Sequence, residues 1–286
     1  MVTHRQIKTL SPAKINLFLH VTGKRSDGYH ELITLMCRVS LFDTISLTFG
    51  AKKTTVFCTD SHVPDDETNL AYRAADIFLK SLNKNEGLKI HIDKKIPVSA
   101  GLGGGSSNAA SVLLELNRYY GNPFPVDVLM SMGLSIGTDV PFFIFRKPAI
   151  ASGIGDKLKA YDRLQSLKVL LIYPNYSVST AQVYKNLNLG LTKCAKNFNN
   201  SNFKYSNFDA NLHLCNDLED VTSSMHPDII NIKEVLLKYG ATGALMSGSG
   251  PTVFGLFHDS DNAQTAFRSL LQNNNWRLFL ADMLTL

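Results

Sequence analysis

From Ile96 to Ala110 the chain reads I-P-V-S-A-G-L-G-G-G-S-S-N-A-A, with Gly101, Gly103, Gly104 and Gly105 inside five positions. Glycine is placed where a backbone must take positive φ or approach a ligand closely. Ser106, Ser107 and Asn108 then bring hydroxyl and amide groups to the start of a helix. A helix start offers free N–H donors and a positive dipole end, which together hold anions. A triphosphate suits such a loop, whereas a plain strand-to-helix turn needs only one or two glycines. The pattern G-x-x-x-x-G-K-[ST] is absent. The pattern G-x-G-x-x-G also fails, because Ser106 and Asn108 stand where the third glycine is required. The H-R-D and D-F-G elements of protein kinases are missing too.

Other residues with chemical potential lie far apart in the chain. In Ser11-Pro-Ala-Lys-Ile-Asn-Leu-Phe-Leu-His20, strand alternation puts Lys14 and Asn16 on one face and Ile15 and Leu17 on the other. Lys14 is then either on a solvated strand face or a buried cation that needs an anionic partner. Asp139, in Gly137-Thr-Asp-Val-Pro-Phe-Phe143, sets one carboxylate ahead of an apolar run; it reads as a reactive acid, or as a helix N-cap or turn aspartate. Tyr29 and His30 place an aromatic ring beside a hydrogen-bonding ring. Gly248-Ser249-Gly250 opens the apolar run Thr252 to Phe257, as a turn or as a ligand-side motif. Cys37, Cys58, Cys194 and Cys215 form no C-x-x-C pair and stand by no zinc-spaced histidines. They read as free buried thiols in a reducing compartment. The first twenty residues have no apolar signal core, which agrees with a cytoplasmic location.

The stretch P-x-x-x-G-L-G-G-G-S-S-N-A-A, Pro97 to Ala110, resembles the phosphate loop of the GHMP kinase superfamily. That superfamily carries three motifs, and P-A-K-I-N-L-F-L, the glycine loop and M-S-G-S-G-P-T-V-F follow here in the same order. The wording D-G-Y-H-E-L and G-T-D-V-P-F-F is similar to the branch that phosphorylates a cytidine diphosphate alcohol on the non-mevalonate isoprenoid route. The likeness runs from Ser11 to Phe257. It implies an α+β fold of two lobes: an ATP-binding domain over residues 1–150 with a ribosomal-protein fold, and a ferredoxin-like domain over 151–286. ATP contacts are implied at Pro97, Val98, Ser99, Ala100, Gly101, Leu102, Gly103, Gly104, Gly105, Ser106, Ser107 and Asn108. Lys14 and Asp139 become the catalytic pair, with Asp139 as general base. Mg²⁺ joins ATP, with Ser106 or Ser107 as a candidate ligand and no carboxylate ligand evident. Tyr29 and His30 would read cytosine; Asn16, Thr180 and Tyr184 would also meet the substrate, with Asn69 near adenine. Gly248, Ser249 and Gly250 would support the loop. Small departures are Thr138 for Ala, Asp156 for Glu and Tyr184 for Phe.

Two other readings compete. Another small-molecule kinase of the superfamily, such as a homoserine kinase, would not need G-Y-H-E-L. A non-catalytic binding protein on the same fold, touching RNA for example, should lack Lys14 or Asp139, and both are present. The resemblance implies no nucleic-acid, membrane or obligate protein partner.

Elements must position these groups. Leu70, Ala74, Ile77 and Phe78 repeat at helical spacing, as do Ala109 to Tyr120, Ile229 to Tyr239 with Gly240 as its terminator, and Ala263 to Leu270 behind Ser260 and Asp261. Leu88, Ile90 and Ile92 alternate with polar residues, which predicts a strand. Thr54 to Thr59, Lys168 to Ile172 and Thr252 to Phe257 also read as strands. Pro148 to Gly155 reads as a joint between halves, and the Asn-rich stretch Lys193 to Asn211 as a surface loop or poorly ordered insertion. With 286 residues, 44% hydrophobic and 19% charged, the composition excludes a disordered or collagen-like chain and needs no disulfide staple. The net charge of +5 favours an anionic ligand, but the basic residues are scattered rather than clustered as in a nucleic-acid binder.

Overall fold

The computed structural model describes residues 5–194 and 207–285. The chain is α+β and divides into two compact units. One comprises Met1–Ala13, Phe42–Val98 and Gly103–Arg146; the other comprises Lys14–Leu41, Ser99–Leu102 and Lys147–Leu286. Two long strands, β1 (Gln6–Lys24) and β2 (His30–Ala51), contribute to both.

In the first unit, β3 (Thr55–Cys58) lies parallel to β4 (Gly87–Asp93), and β4 lies antiparallel to the end of β2, with Ile92 opposite Ile45 and Ile90 opposite Leu47. The Leu88, Ile90, Ile92 alternation is buried while Lys89, His91 and Asp93 are exposed. Helices α1 (Leu70–Ser81), α2 (Gly104–Tyr119), α3 (Val126–Ile136) and α4 (Val140–Phe145) pack on one another. Their inward faces bring Phe78, Leu113, Leu116 and Phe142 out of water. Each such side chain contributes about 1.5–3 kcal/mol on burial. Asn69 caps α1: its Oδ1 accepts from the Ala71 amide and its Nδ2 donates to the Pro64 carbonyl. Its side chain is thereby engaged locally.

The second unit is built on β7 (Lys168–Tyr173), whose four central residues are all buried. Antiparallel neighbours flank it: β10 (Val253–Phe257), which also pairs β9 (Gly243–Met246), and β11 (Arg277–Leu284). Helices α8 (Asp228–Lys238) and α9 (Ser260–Leu270) set Ile229, Ile232, Leu236, Ala263 and Ala266 into the core with Leu170, Ile172, Val253 and Phe257. Gly240 follows α8 at φ +89°, as its position predicts. For α9 the cap is Asp259, one residue before the expected Ser260 and Asp261; it accepts from the amides of residues 261 and 262. Shorter helices α5 (Thr180–Asn186), α6 (Ala210–His213) and α7 (Glu219–Met225) complete this unit.

The last boundary between the two units falls at Arg146, just before the stretch Pro148 to Gly155, within which Ala149–Gly153 forms β5, paired antiparallel with both β2 and β6 (Lys157–Ala160). Most of the Asn-rich stretch, 195–206, lies outside the described residues, and Ala210 and Asn211 begin α6. The cysteines are not all free. Cys194 and Cys215 form a disulfide, while Cys37 and Cys58 are buried thiols, the former pushed up to about 12 by burial. The disulfide partners are 21 residues apart with Cα atoms 5.7 Å apart, a proximity that only the folded chain creates. Among the described residues, no helix is long and apolar enough to cross a membrane.

Candidate active site

Lys14 and Asn16 lie on one face of β1, and both are buried. Lys14 therefore does not lie on a solvated face. Its Nζ donates to Asn16 Oδ1 at 2.5 Å. Asn16 Nδ2 donates to Thr34 Oγ1 at 2.9 Å, and that hydroxyl donates to the Phe18 carbonyl at 2.6 Å. The Thr34 bond fixes which end of the amide faces Lys14. Asn16 thus serves the lysine as an acceptor, whatever else it touches.

The first part of the glycine loop is fastened to β1 and to the third motif. The Lys14 amide donates to the Leu102 carbonyl, and the Thr252 amide to that of Ala100. Ser247 Oγ donates to the Gly101 carbonyl at 2.9 Å and accepts from the Asn16 amide at 3.3 Å. These approaches need glycine. A Cβ at Gly101, φ +77°, would stand 2.1 Å from the Ser247 carbonyl oxygen; one at Gly248, φ +59°, would meet Lys14 Nζ and Asn16 Oδ1 within 3.4 Å. The third motif thus packs beside the loop rather than being a plain turn. Asn216, on β8 (Cys215–Asn216), holds it in place through Nδ2 bonds to the carbonyls of Met246 and Gly248.

The rest of the loop begins α2. Gly103 takes the left-handed conformation at its start, and no side chain caps the helix, so its first amides are available to a ligand. Gly105 is exposed and Ser106 half-buried. Ser107 and Asn108 turn inward: Ser107 Oγ accepts from Ser11, and Asn108 Nδ2 donates to Asp43 and Ser11. Those two positions therefore offer a ligand backbone rather than side chain. Asp139 is half-buried at the N-cap position of α4 and makes no side-chain cap bond to that helix. The turn before it lies against the loop helix, since a Cβ at Gly137 would be 3.8 Å from Ser106 Oγ.

His30 and Tyr184 come together, ring centroids 4.9 Å apart and planes at 31°. Burial, helped by Lys24, holds the His30 imidazole below its usual range, which favours the neutral ring. Tyr29 is 55% exposed on the turn before it. That turn is set by Asp27, which accepts from the Tyr29 amide, and by Arg25, which bonds Asp27 and Glu31. Thr180 Oγ1 shares a 2.8 Å hydrogen bond with Ser249 Oγ, linking α5 to the third motif. Lys14, Asn16, His30, Thr180 and Tyr184 belong to the second unit, and Asp139 with Ser106 to the first.

Thr34, Ser247 and Asn216 escape a reading of the sequence. Ser247 adjoins a motif that is legible; Thr34 and Asn216 carry no local signal.

Residues 69–147 match the model of the GHMP kinases N terminal domain, and residues 195–275 that of the GHMP kinases C terminal. A 4-diphosphocytidyl-2-C-methyl-D-erythritol kinase of Syntrophus aciditrophicus is 46% identical over 274 residues, covering 96% of this chain and 98% of its own. A crystal structure of 4-(cytidine 5'-diphospho)-2C-methyl-D-erythritol kinase aligns with TM-score 0.78 at 31% identity, over 97% of this chain and 99% of its own. A homoserine kinase from Cytophaga hutchinsonii has TM-score 0.75 at 18% identity, over 99% and 96%, a likeness of fold alone.

Proposed function

Because the chain belongs to the GHMP kinases, in the family of 4-diphosphocytidyl-2-C-methyl-D-erythritol kinases, we propose that it phosphorylates the 2-hydroxyl of 4-diphosphocytidyl-2-C-methyl-D-erythritol with ATP, on the non-mevalonate route to isopentenyl diphosphate. The observation that carries this reading is the buried Lys14 ammonium, set by an oriented Asn16 on a strand whose backbone is bonded to the glycine loop.

Phosphoryl transfer to an alcohol needs alignment, removal of the hydroxyl proton and neutralisation of charge on the transferring group. The open amides at the start of α2 bind phosphate oxygens without reorganisation, because Gly103 already sets their direction. Asp139 takes the proton from the acceptor hydroxyl. Lys14 stabilises the negative charge that develops on that oxygen. Mg²⁺ would supply charge neutralisation to the phosphates. A hard cation of this kind needs few protein ligands. Ser106, half-buried at the helix start, suits that role, whereas Ser107 is fully buried and already bonded to Ser11. On the acceptor side, His30 and Tyr184 present paired rings to the cytosine, with Tyr29 exposed to close over it. Thr180 is held by Ser249 to meet the same substrate.

A coupled assay of ATP consumption tests the reading. Turnover is expected with the cytidine diphosphate alcohol and not with homoserine. The reverse pattern, or no turnover with either alcohol, would overturn it.

A further inference from the structure

Asp43 is an acid that the mechanism above does not use, and it is fully buried. It sits within β2 in the first unit, in the run Leu41-Phe-Asp-Thr-Ile45. Its Oδ1 accepts from the backbone amides of Lys95 at 2.8 Å and Ile96 at 2.9 Å. Its Oδ2 accepts from Lys94 Nζ at 2.6 Å and from Asn108 Nδ2 at 2.9 Å. Residues 94–96 lead into the glycine loop, and Asn108 lies just beyond it. A single carboxylate therefore clasps both flanks of the segment that runs from Pro97 to Ser107. The Lys94 ammonium, also buried, donates to the Ile96 carbonyl at 2.8 Å and lies under the first turn of α2, where a Cβ on Gly104 would stand 2.8 Å from it.

We propose that Asp43 is a positioning residue for phosphoryl transfer: it holds the entry and exit of the glycine loop at the separation that points the α2 amides at the nucleotide. The proposal rests on the kinase reading of the loop. The chemistry is specific to a carboxylate. All four partners donate, so both oxygens must accept. An asparagine at this position would turn an NH₂ group toward two donors, opening one flank and leaving Lys94 buried beside a neutral group.

A structural role as the Lys94 counterion predicts something different from a clasp. In Asp43→Asn, KM for ATP is expected to rise about tenfold or more, with KM for the cytidine alcohol within about twofold of the unsubstituted value. In Asp43→Asn with Lys94→Met the buried charge is balanced again, so the melting midpoint should recover, while KM for ATP stays raised by about the same factor. Lys94→Met alone keeps three of the four bonds to Asp43 and should move KM for ATP by no more than about threefold. Recovery of ATP affinity together with the midpoint in the double variant would overturn the proposal, as would an unchanged KM for ATP in a folded Asp43→Asn. Calorimetry of ATP on the unsubstituted protein separates the two levels: absence of binding there removes the kinase reading and the clasp together, whereas normal binding there and in Asp43→Asn removes only the clasp.

Discussion

At the scale of single residues, the proposed base Asp139 and His30 give the clearest outcomes. Asp139→Asn keeps the shape of the side chain and removes its capacity to take a proton. The turnover number should fall by about 10²–10⁴-fold, with KM for ATP little changed, in steady-state assays. Retention of most activity would leave positioning alone as the source of catalysis. His30 is held neutral, first by burial and second by Lys24. The unfolded chain takes up this proton near 6.5, and the folded chain only at lower pH. His30 therefore contributes stability above that pH which is lost as pH falls through the folded value. Melting midpoints measured from pH 7 to about pH 5 should drop more steeply for the unsubstituted protein than for His30→Gln. KM for the cytidine alcohol should rise over the same interval. His213, also lowered by burial, leaves a residual slope in both proteins. A slope unchanged by His30→Gln would remove His30 as its source.

At the scale of elements, Cys215, Asn216 and Asp217 are consecutive, and each ties a different part of the second unit. Cys215 bonds Cys194; Asn216 holds the third motif; Asp217 accepts from Val21, Lys193 and Cys194 amides and pairs with His20. Opening the disulfide by substituting both cysteines with serine removes a cross-link over 21 residues. Urea unfolding should then report a loss of about 3 kcal/mol, the value for a closed loop of this size. The turnover number well below the transition should change little, because Asn216 keeps its own bonds. Elements with one buried face were legible: α1, α8, α9 and β4 announce themselves by period. β1 and β2 were not. Nine consecutive residues of β1, from Ala13 to Val21, are buried on both faces, so the alternation that marks a half-exposed strand disappears. The catalytic candidates stood out because a lysine inside an apolar strand or four crowded glycines are rare. Thr34, Ser247 and Asp43 are ordinary until the fold supplies partners as far as 231 positions away.

At the scale of the whole molecule, ligand binding must appear as stability. A protein that binds ATP only when folded gains about 2.7 kcal/mol at a nucleotide concentration a hundred times Kd. Thermal unfolding with and without ATP should show that rise, and its absence would argue against a formed nucleotide site. The same fastening of the glycine loop has a consequence for chemical inhibition. Carbonyls 100, 101 and 102 are all turned toward the protein body, two of them onto main-chain amides. An inhibitor that drew its bonds from the amide groups of this loop would meet a surface that single-codon changes hardly alter. Resistance through Gly101, Ser247 or Gly248 would unseat the loop that we propose holds ATP.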